Sequence, residues 1–355
     1  TRRCLQQLEE AIEAYRTGAK RRLPPLTLDC RESGTTVRLL IPLAAALGVE
    51  VTFQGTGRLP QRPLQEYRDI FAGHHVTLEF PGSGSLPLVV RGQLTPGLFQ
   101  VPGHVSSQYL SGLLLSLPLL PGDSEIVLTT PLESAPYVAM TRHTLGEFGV
   151  VTEETPDGFR VAGGQTFLPV DYIVEKDFSQ AAFWLVANYF GSEIKLVGLP
   201  EHTAQGDRMI LPILADLARK RAVNQPFIID AAQIPDLVPV LAVAASLTPG
   251  ETRIIHAGRL RLKESDRLAA TAEALTAIGA QIRVEDSSLM IQGQTILPGG
   301  TADSFGDHRI AMALAVAALK TERGVLIRHA DVVRKSYPDF FAEWTRLGGD
   351  CRELD

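Results

Sequence analysis

The 355-residue sequence predicts an α/β protein, either two domains or one large body, assembled from copies of one helix–strand–hairpin element. Three observations carry that expectation. Two segments, "LGEFGVVTEETPDGFRVAGGQ" (145–165) and "LTAIGAQIRVEDSSLMIQGQ" (275–294), share one plan: a helix end, a Gly, an alternating strand, an acidic turn, a second strand and a closing Gly-Gln. Period-2 stretches such as "VEVTF" and "EIVLT" read as strands, whereas "AAFWLVANYF" and "RIAMALAVAALK" read as buried helices. The composition, 45% hydrophobic and 21% charged, belongs to a globular chain with ample core.

Position 1 opens straight into a helical pattern, "CLQQLEEAIEAY", so the chain reads as cut into on its N-terminal side. "LDCRESGTTVRLL" (28–40) is a strand, a turn and a helix start. Ser33, Thr35 or Thr36 can cap that helix, and Gly34 lets backbone approach a ligand; a plain capped helix and an anion site both fit. "LAAALGVEVTFQGTG" (43–57) reads as the first half of the repeated unit. In "GRLPQRPLQEY" (57–67), prolines stiffen the turn that presents Arg58 and Arg62, either to solvent or to an anion. Ser106, Ser107 and Gln108 stand where a polar loop becomes an almost wholly apolar helix, which suits a phosphate or a polyol as well as a simple cap. "ESAPYVAMTRHTLGEFG" (133–149) repeats the theme with Ser134 and Tyr137.

The best boundary falls near "DYIVEKDFSQAA" (171–182). Beyond it, Pro235 and Asp236 precede a long apolar helix, where Asp236 is either a helix-start acid or a general base. In "RLRLKESDRLAATAEAL" (259–275), a helix starting near Lys263 places Lys263 and Arg267 on one face with Glu264 within reach. Cations at a helix start oppose the dipole, so an anion nearby would offset that cost, although a solvated salt-bridged face is the common alternative. Arg309 opens a buried helix, Lys335 precedes Tyr-Pro, and "WTRLGGDCREL" (344–354) begins the repeated unit again. Five segments thus bring Arg or Lys to a loop–helix junction, which suits one or two small substrates bearing several negative charges.

Other classes fit less well. A net charge of −6 argues against a general nucleic-acid binder. Cys4, Cys30 and Cys351 are odd in number and widely spaced, as expected of free thiols in a reducing cytoplasm, and they show no metal-ligand spacing. The most apolar run, "YLSGLLLSLPLL" (109–120), is too short to span a bilayer.

Taken together, "ESGTTVR", "RLPQRPL", "SSQYLSG", "SAPYVAMT", "IPDLVPVLAV", "LRLKESDR", "GDHRIAMA" and "KSYPDFF", in this order from end to end, resemble the 5-enolpyruvylshikimate-3-phosphate synthases. The resemblance implies a two-domain inverse α/β barrel of repeated βαβαββ units with the active site in the interdomain cleft. Residues 1–174 would form the shikimate 3-phosphate side, and 175–355 would carry the general base and several phosphoenolpyruvate contacts. The implied reaction moves the enolpyruvyl group of phosphoenolpyruvate to the 5-hydroxyl of shikimate 3-phosphate, without metal or organic cofactor, in a cytoplasmic monomer that glyphosate would inhibit competitively.

By motif matching, Gly34, Arg62, Gln108, Arg267, Arg309 and Lys335 would hold phosphoenolpyruvate. Ser106, Ser107, Gln108, Ser134, Tyr137, Asp236 and Lys263 would hold shikimate 3-phosphate. Asp236 would serve as base and Glu264 as proton-transfer partner, with Lys263 and Arg267 facing two different anions. Arg259 stands where some members carry Asn, and it receives no role. The family's opening segment, with a Lys-Ser pair and a downstream Arg, has no match here, so the chain alone is expected to be impaired in catalysis. Two alternatives accompany this reading: a non-catalytic ligand-binding relative, and an enzyme like UDP-N-acetylglucosamine enolpyruvyl transferase, whose hallmark is a reactive Cys in a mobile loop.

Overall fold

The computed structural model describes residues 1–17, 24–223 and 226–354. They form two compact units, Thr1–Ile173 and Val174–Asp355.

Unit 1 opens with α1 (Arg2–Arg16) and continues as β1 (Leu26–Asp29), α2 (Gly34–Leu47), β2 (Val51–Gln54), α3 (Glu66–Ile70), β3 (Val76–Glu79) and β4 (Leu88–Gly92). A second copy follows: β5 (Leu98–Pro102), α4 (Ser107–Ser116), β6 (Ser124–Thr130), α5 (Ala135–Glu147), β7 (Thr152–Thr155) and β8 (Gly158–Val161). Their sheets run β1-β2-β4-β3 and β5-β6-β8-β7. In each, the first two strands are parallel and the last two form an antiparallel hairpin. This is one βαβαββ element written twice. The helix inside each parallel pair is buried: α2 and α4 pack together through Val37, Ile41, Leu110 and Leu113 in the core of the unit.

Unit 2 holds α6 (Phe178–Tyr189), α7 (Ile210–Val223) and a third copy of the element: β9 (Phe227–Asp230), α8 (Val238–Ser246), β10 (Gly250–Ile255), α9 (Arg267–Ala277), β11 (Gln281–Glu285) and β12 (Ser288–Gly293). Its sheet order, β11-β12-β10-β9, has the same pairing. A final parallel pair, β13 (Gly300–Asp303) and β14 (Val325–Arg328), encloses α10 (His308–Ala318) and leads to α11 (Phe340–Arg346). The helices α6, α8 and α10 fill the middle of the unit with Phe183, Val240, Leu241 and Leu314.

The segments 145–165 and 275–294 are the matching α5–β7–β8 and α9–β11–β12 parts of two copies. Two expectations need correction. Residues 43–57 are the end of α2 and then β2, which lies parallel to β1, so this is the inner helix and second strand and not the helix that precedes a hairpin. After α11 the chain turns at Gly348 (φ 94°), but residues 350–354 form no strand. Among the described residues, no helix is long and apolar enough to cross a membrane.

The repetition matters because, among the described residues, it sets eight connections, each from the carboxyl end of a parallel-paired strand to the following helix. Gly34, Arg62, Ser106–Gln108, Ser134, Asp236, Lys263–Arg267, Arg309 and Lys335 all fall in or at the end of such connections. That is the edge of an α/β sheet where ligands bind.

Candidate active site

Three of these connections begin with the same turn. Asp29, Asp230 and Asp303 each accept, through Oδ1, the backbone N–H two residues on, at 2.9, 2.9 and 2.7 Å. This Asx turn swings the chain off the strand and toward the helix start.

In unit 1, Ser33 caps α2 by accepting the Thr36 N–H at 3.1 Å. Gly34 is the first helical residue, and the guanidinium of Arg62 lies directly over it: a Cβ there would sit 2.6 Å from Nη1. Arg62 is buried in its Pro-flanked turn, not displayed to solvent. Ser106 caps α4, and Ser107 is buried beside it. Gln108 reaches back to the first connection, donating from Nε2 to Thr35 Oγ1 at 2.7 Å and accepting from Arg38 Nη1 at 2.9 Å. Ser134, buried and left-handed at φ 57°, precedes α5, and Tyr137 sits in its first turn. The Glu133 N–H bonds to the Gly103 carbonyl at 3.1 Å, which holds the loops before α4 and α5 side by side.

Unit 2 gathers its charges around one carboxylate. Asp236 lies in a 3-10 turn that Pro235 starts and α8 continues. Its Oδ1 accepts from Arg267 Nη1 at 2.9 Å and Lys263 Nζ at 3.3 Å; its Oδ2 accepts from Arg309 Nη2 at 3.3 Å. Arg267, 1% exposed, also donates to Glu264 at 2.6 Å and, from Nε, to Asp307 at 2.8 Å. Asp307 in turn caps α10 by accepting the Arg309 N–H at 3.0 Å and takes the Ser265 hydroxyl at 3.3 Å. Lys335 donates to the Gly306 carbonyl at 3.0 Å, on the same connection as Asp307.

This arrangement corrects the helix expected from Lys263. The helix α9 starts at Arg267 with Asp266 as its cap, and residues 258–262 form a separate 3-10 turn. Lys263 and Arg267 therefore share no helix face, and in this structure both bond to Asp236 Oδ1. A carboxylate is the better helix-start group, and the chain supplies one.

The electrostatics follow. Burial alone would raise the Asp236 pKa, but the charges of Arg309, Lys263 and Arg267 more than reverse it and hold the group well below the usual carboxylate range. Arg267 moves the other way: burial opposes its charge, and Asp307, Glu264 and Asp236 overcome that, so it stays protonated. His308 is pushed down to about 4, chiefly by burial and then by Arg309, and its buried Nδ1 has no partner. Among the described residues no cluster of three His, Cys, Asp or Glu could hold a metal ion. Cys4 and Cys30 are buried, and burial together with Cys4 pushes the Cys30 thiol up to about 12, far from an activated nucleophile.

Two residues that the sequence reading passed over belong to these networks, Arg38 and Asp307. Arg38 is the only charged residue of α2, and an ion inside so apolar a helix must find partners in the interior. Asp307 was visible as a helix cap, but its pairing with Arg267, 40 residues away, is a product of the fold.

A family model described as EPSP synthase (3-phosphoshikimate 1-carboxyvinyltransferase) matches residues 4–344. The 3-phosphoshikimate 1-carboxyvinyltransferase of Clostridium kluyveri is 46% identical over 336 residues, covering 91% of this chain and 79% of that protein. The protein of the same name from Clostridium acetobutylicum is 44% identical, covering 92% of this chain and 78% of its own length. In structure, an EPSP synthase from Acinetobacter baumannii superposes with a TM-score of 0.73 at 21% identity, covering 93% of this chain and 80% of that one.

Proposed function

This chain belongs to the EPSP synthase family, the 3-phosphoshikimate 1-carboxyvinyltransferases, and on that premise we propose how its residues divide the work. The reaction transfers the enolpyruvyl group of phosphoenolpyruvate to the 5-hydroxyl of shikimate 3-phosphate and releases phosphate, in the shikimate pathway to chorismate and the aromatic amino acids.

The convergence of Lys263, Arg267 and Arg309 on Asp236 carries the proposal. Both substrates are multiply anionic, so fixed cations are needed. In unit 2 these cations are already engaged by carboxylates, and an arriving anion exchanges with Asp236. Arg267, Arg309 and Lys335 then hold phosphoenolpyruvate, and Lys263 holds shikimate 3-phosphate. In unit 1, Arg62 over the Gly34 helix start serves phosphoenolpyruvate; Ser106, Ser107, Ser134 and Tyr137 serve shikimate 3-phosphate, and Gln108 serves both.

The exchange prepares the base. A carboxylate under three cations is a poor proton acceptor. When substrate anions neutralise those cations, the Asp236 pKa rises, and the group becomes able to take the 5-hydroxyl proton as that oxygen attacks. The enol carbon of phosphoenolpyruvate must gain a proton, and Glu264, which Arg267 holds, serves as the proton-transfer partner. A tetrahedral intermediate then expels phosphate as its methyl group gives up a proton, which restores the enol double bond. Residues 1–174 thus carry most of the shikimate 3-phosphate contacts, and 175–355 the base and several of the phosphoenolpyruvate contacts. Glyphosate competes with phosphoenolpyruvate, and the chain works as a cytoplasmic monomer.

Phosphate release from the two substrates, measured on the purified chain with and without glyphosate, tests the assignment. Slow release that requires shikimate 3-phosphate, and inhibition that yields to added phosphoenolpyruvate, are expected. Turnover with a UDP-sugar acceptor, or ligand binding with no turnover, would contradict it.

A further inference from the structure

Arg38 is 2% exposed and lies one turn into α2 from Gly34. Its Nη1 donates to Gln108 Oε1 at 2.9 Å and its Nη2 to the Pro63 carbonyl at 3.1 Å. Its Nε is buried without a partner, so both bonded acceptors are neutral oxygens. The Tyr109 ring lies 5.7 Å from the guanidinium carbon, and the Tyr67 hydroxyl bonds the Arg38 carbonyl at 2.6 Å. A buried cation with only neutral acceptors is costly to keep.

Its two bonds fall on two substrate-contacting segments. A Gln amide can face either way, and its orientation is set by its neighbours. Arg38 offers only donors, so Gln108 must turn its oxygen inward and its NH₂ toward Thr35. Pro63 directly follows Arg62, so the other arm of the same planar fork holds the turn that presents Arg62 over Gly34.

We propose that Arg38 is a positioning residue for both substrates: it orients the Gln108 amide through one arm and fixes the Arg62 turn through the other. The proposal rests on the reading that Gln108 and Arg62 contact substrate. Steady-state kinetics on Arg38→Lys, Gln108→Ala and the double variant test it. Lys keeps the charge but has no fork to serve both acceptors.

Arg38→Lys should raise KM for shikimate 3-phosphate roughly five- to tenfold, the scale of one lost hydrogen bond. In the Gln108→Ala background the same change should shift that KM by less than about twofold, because its route is gone. KM for phosphoenolpyruvate should still rise there, through Arg62. An equal shift in shikimate 3-phosphate KM in both backgrounds, or none in either, overturns the proposal. A Gln108→Ala variant with normal KM for both substrates instead overturns the reading beneath it.

Gln108→Glu supplies a test that leaves Arg38 in place. It gives the buried guanidinium a counter-charge, so Tm should rise while shikimate 3-phosphate binding weakens. A lowered Tm contradicts the role drawn for Arg38.

Discussion

Two arginines, one in each unit, are almost wholly buried, and they are treated in opposite ways. Arg267 in unit 2 meets carboxylates in three directions, Asp236, Glu264 and Asp307. Arg38 in unit 1 meets a side-chain amide and a backbone carbonyl. The helix caps follow the same division: Ser33 and Ser106 in unit 1, Asp177, Asp266 and Asp307 in unit 2. In unit 1 the helix starts are left electropositive for an incoming anion. In unit 2 the cations are neutralised in advance, and under the proposed function an anion would bind by exchange with a carboxylate. Only the second arrangement would couple substrate binding to the basicity of an acid.

The largest expected effect is on turnover. Asp236→Asn keeps the shape of the side chain but cannot accept a proton, so kcat should fall about 10²–10⁴-fold. Rapid-quench measurement of the chemical step checks this, and a near-normal rate would remove Asp236 from the mechanism. Arg267→Ala comes next, because it removes a buried cation that bonds three carboxylates at once. Breaking a buried pair costs about 3–5 kcal/mol, and the urea midpoint should move accordingly. An unchanged midpoint would mean that the network is dispensable to the fold.

A milder change sharpens the contrast from the side of unit 1. A Cβ at Gly34 would meet the Arg62 guanidinium at 2.6–2.9 Å, and the flexible end of Arg62 can swing away. Gly34→Ala should therefore fold normally and raise KM for phosphoenolpyruvate about tenfold, the value of one charge-assisted contact. Equal effects on both substrates would argue that the helix start, and not Arg62, is what matters there.

The smallest effect is on acid stability. His308, at about 4 in the folded state, is lowered from an ordinary value of about 6.5. Between those values the unfolded chain binds a proton that the folded chain does not, so stability falls as pH drops from 6.5 toward 4. The slope is about 1.4 kcal/mol per pH unit at most. His308→Gln should flatten the pH dependence of Tm in that window, and an unaltered slope would place the acid sensitivity elsewhere.

Much of this division was legible before the fold. The strands of 152–161 and 281–293 announce themselves by alternation around acidic turns, and the motifs at Ser33, Ser106, Ser134, Arg267 and Arg309 mark real helix starts, whereas Arg62 follows a 3-10 turn and Lys335 ends one. What escaped was set by topology. Residues 43–57 resemble the later segments because every parallel pair also runs helix, Gly, strand; only strand pairing separates the two halves of the unit. The charge spacing of three and four from Lys263 is compatible with a helix, but the Asp266 cap postpones that helix to Arg267. The Asp307–Arg267 and Arg38–Pro63 contacts join different connections, and no local pattern encodes them.

The exchange of carboxylate for substrate depends most directly on the state of Asp236. Its carboxyl carbon, observed by NMR in ¹³C-labelled protein and assigned by loss of the signal in Asp236→Asn, can be followed through a pH titration with and without shikimate 3-phosphate. In the free protein it should remain ionised well below the ordinary aspartate value of about 3.9, because Arg309, Lys263 and Arg267 outweigh its burial. With shikimate 3-phosphate bound, the midpoint should move upward as Lys263 turns to the ligand. An ordinary midpoint in the free protein, or one that substrate leaves unmoved, would contradict the exchange of carboxylate for substrate.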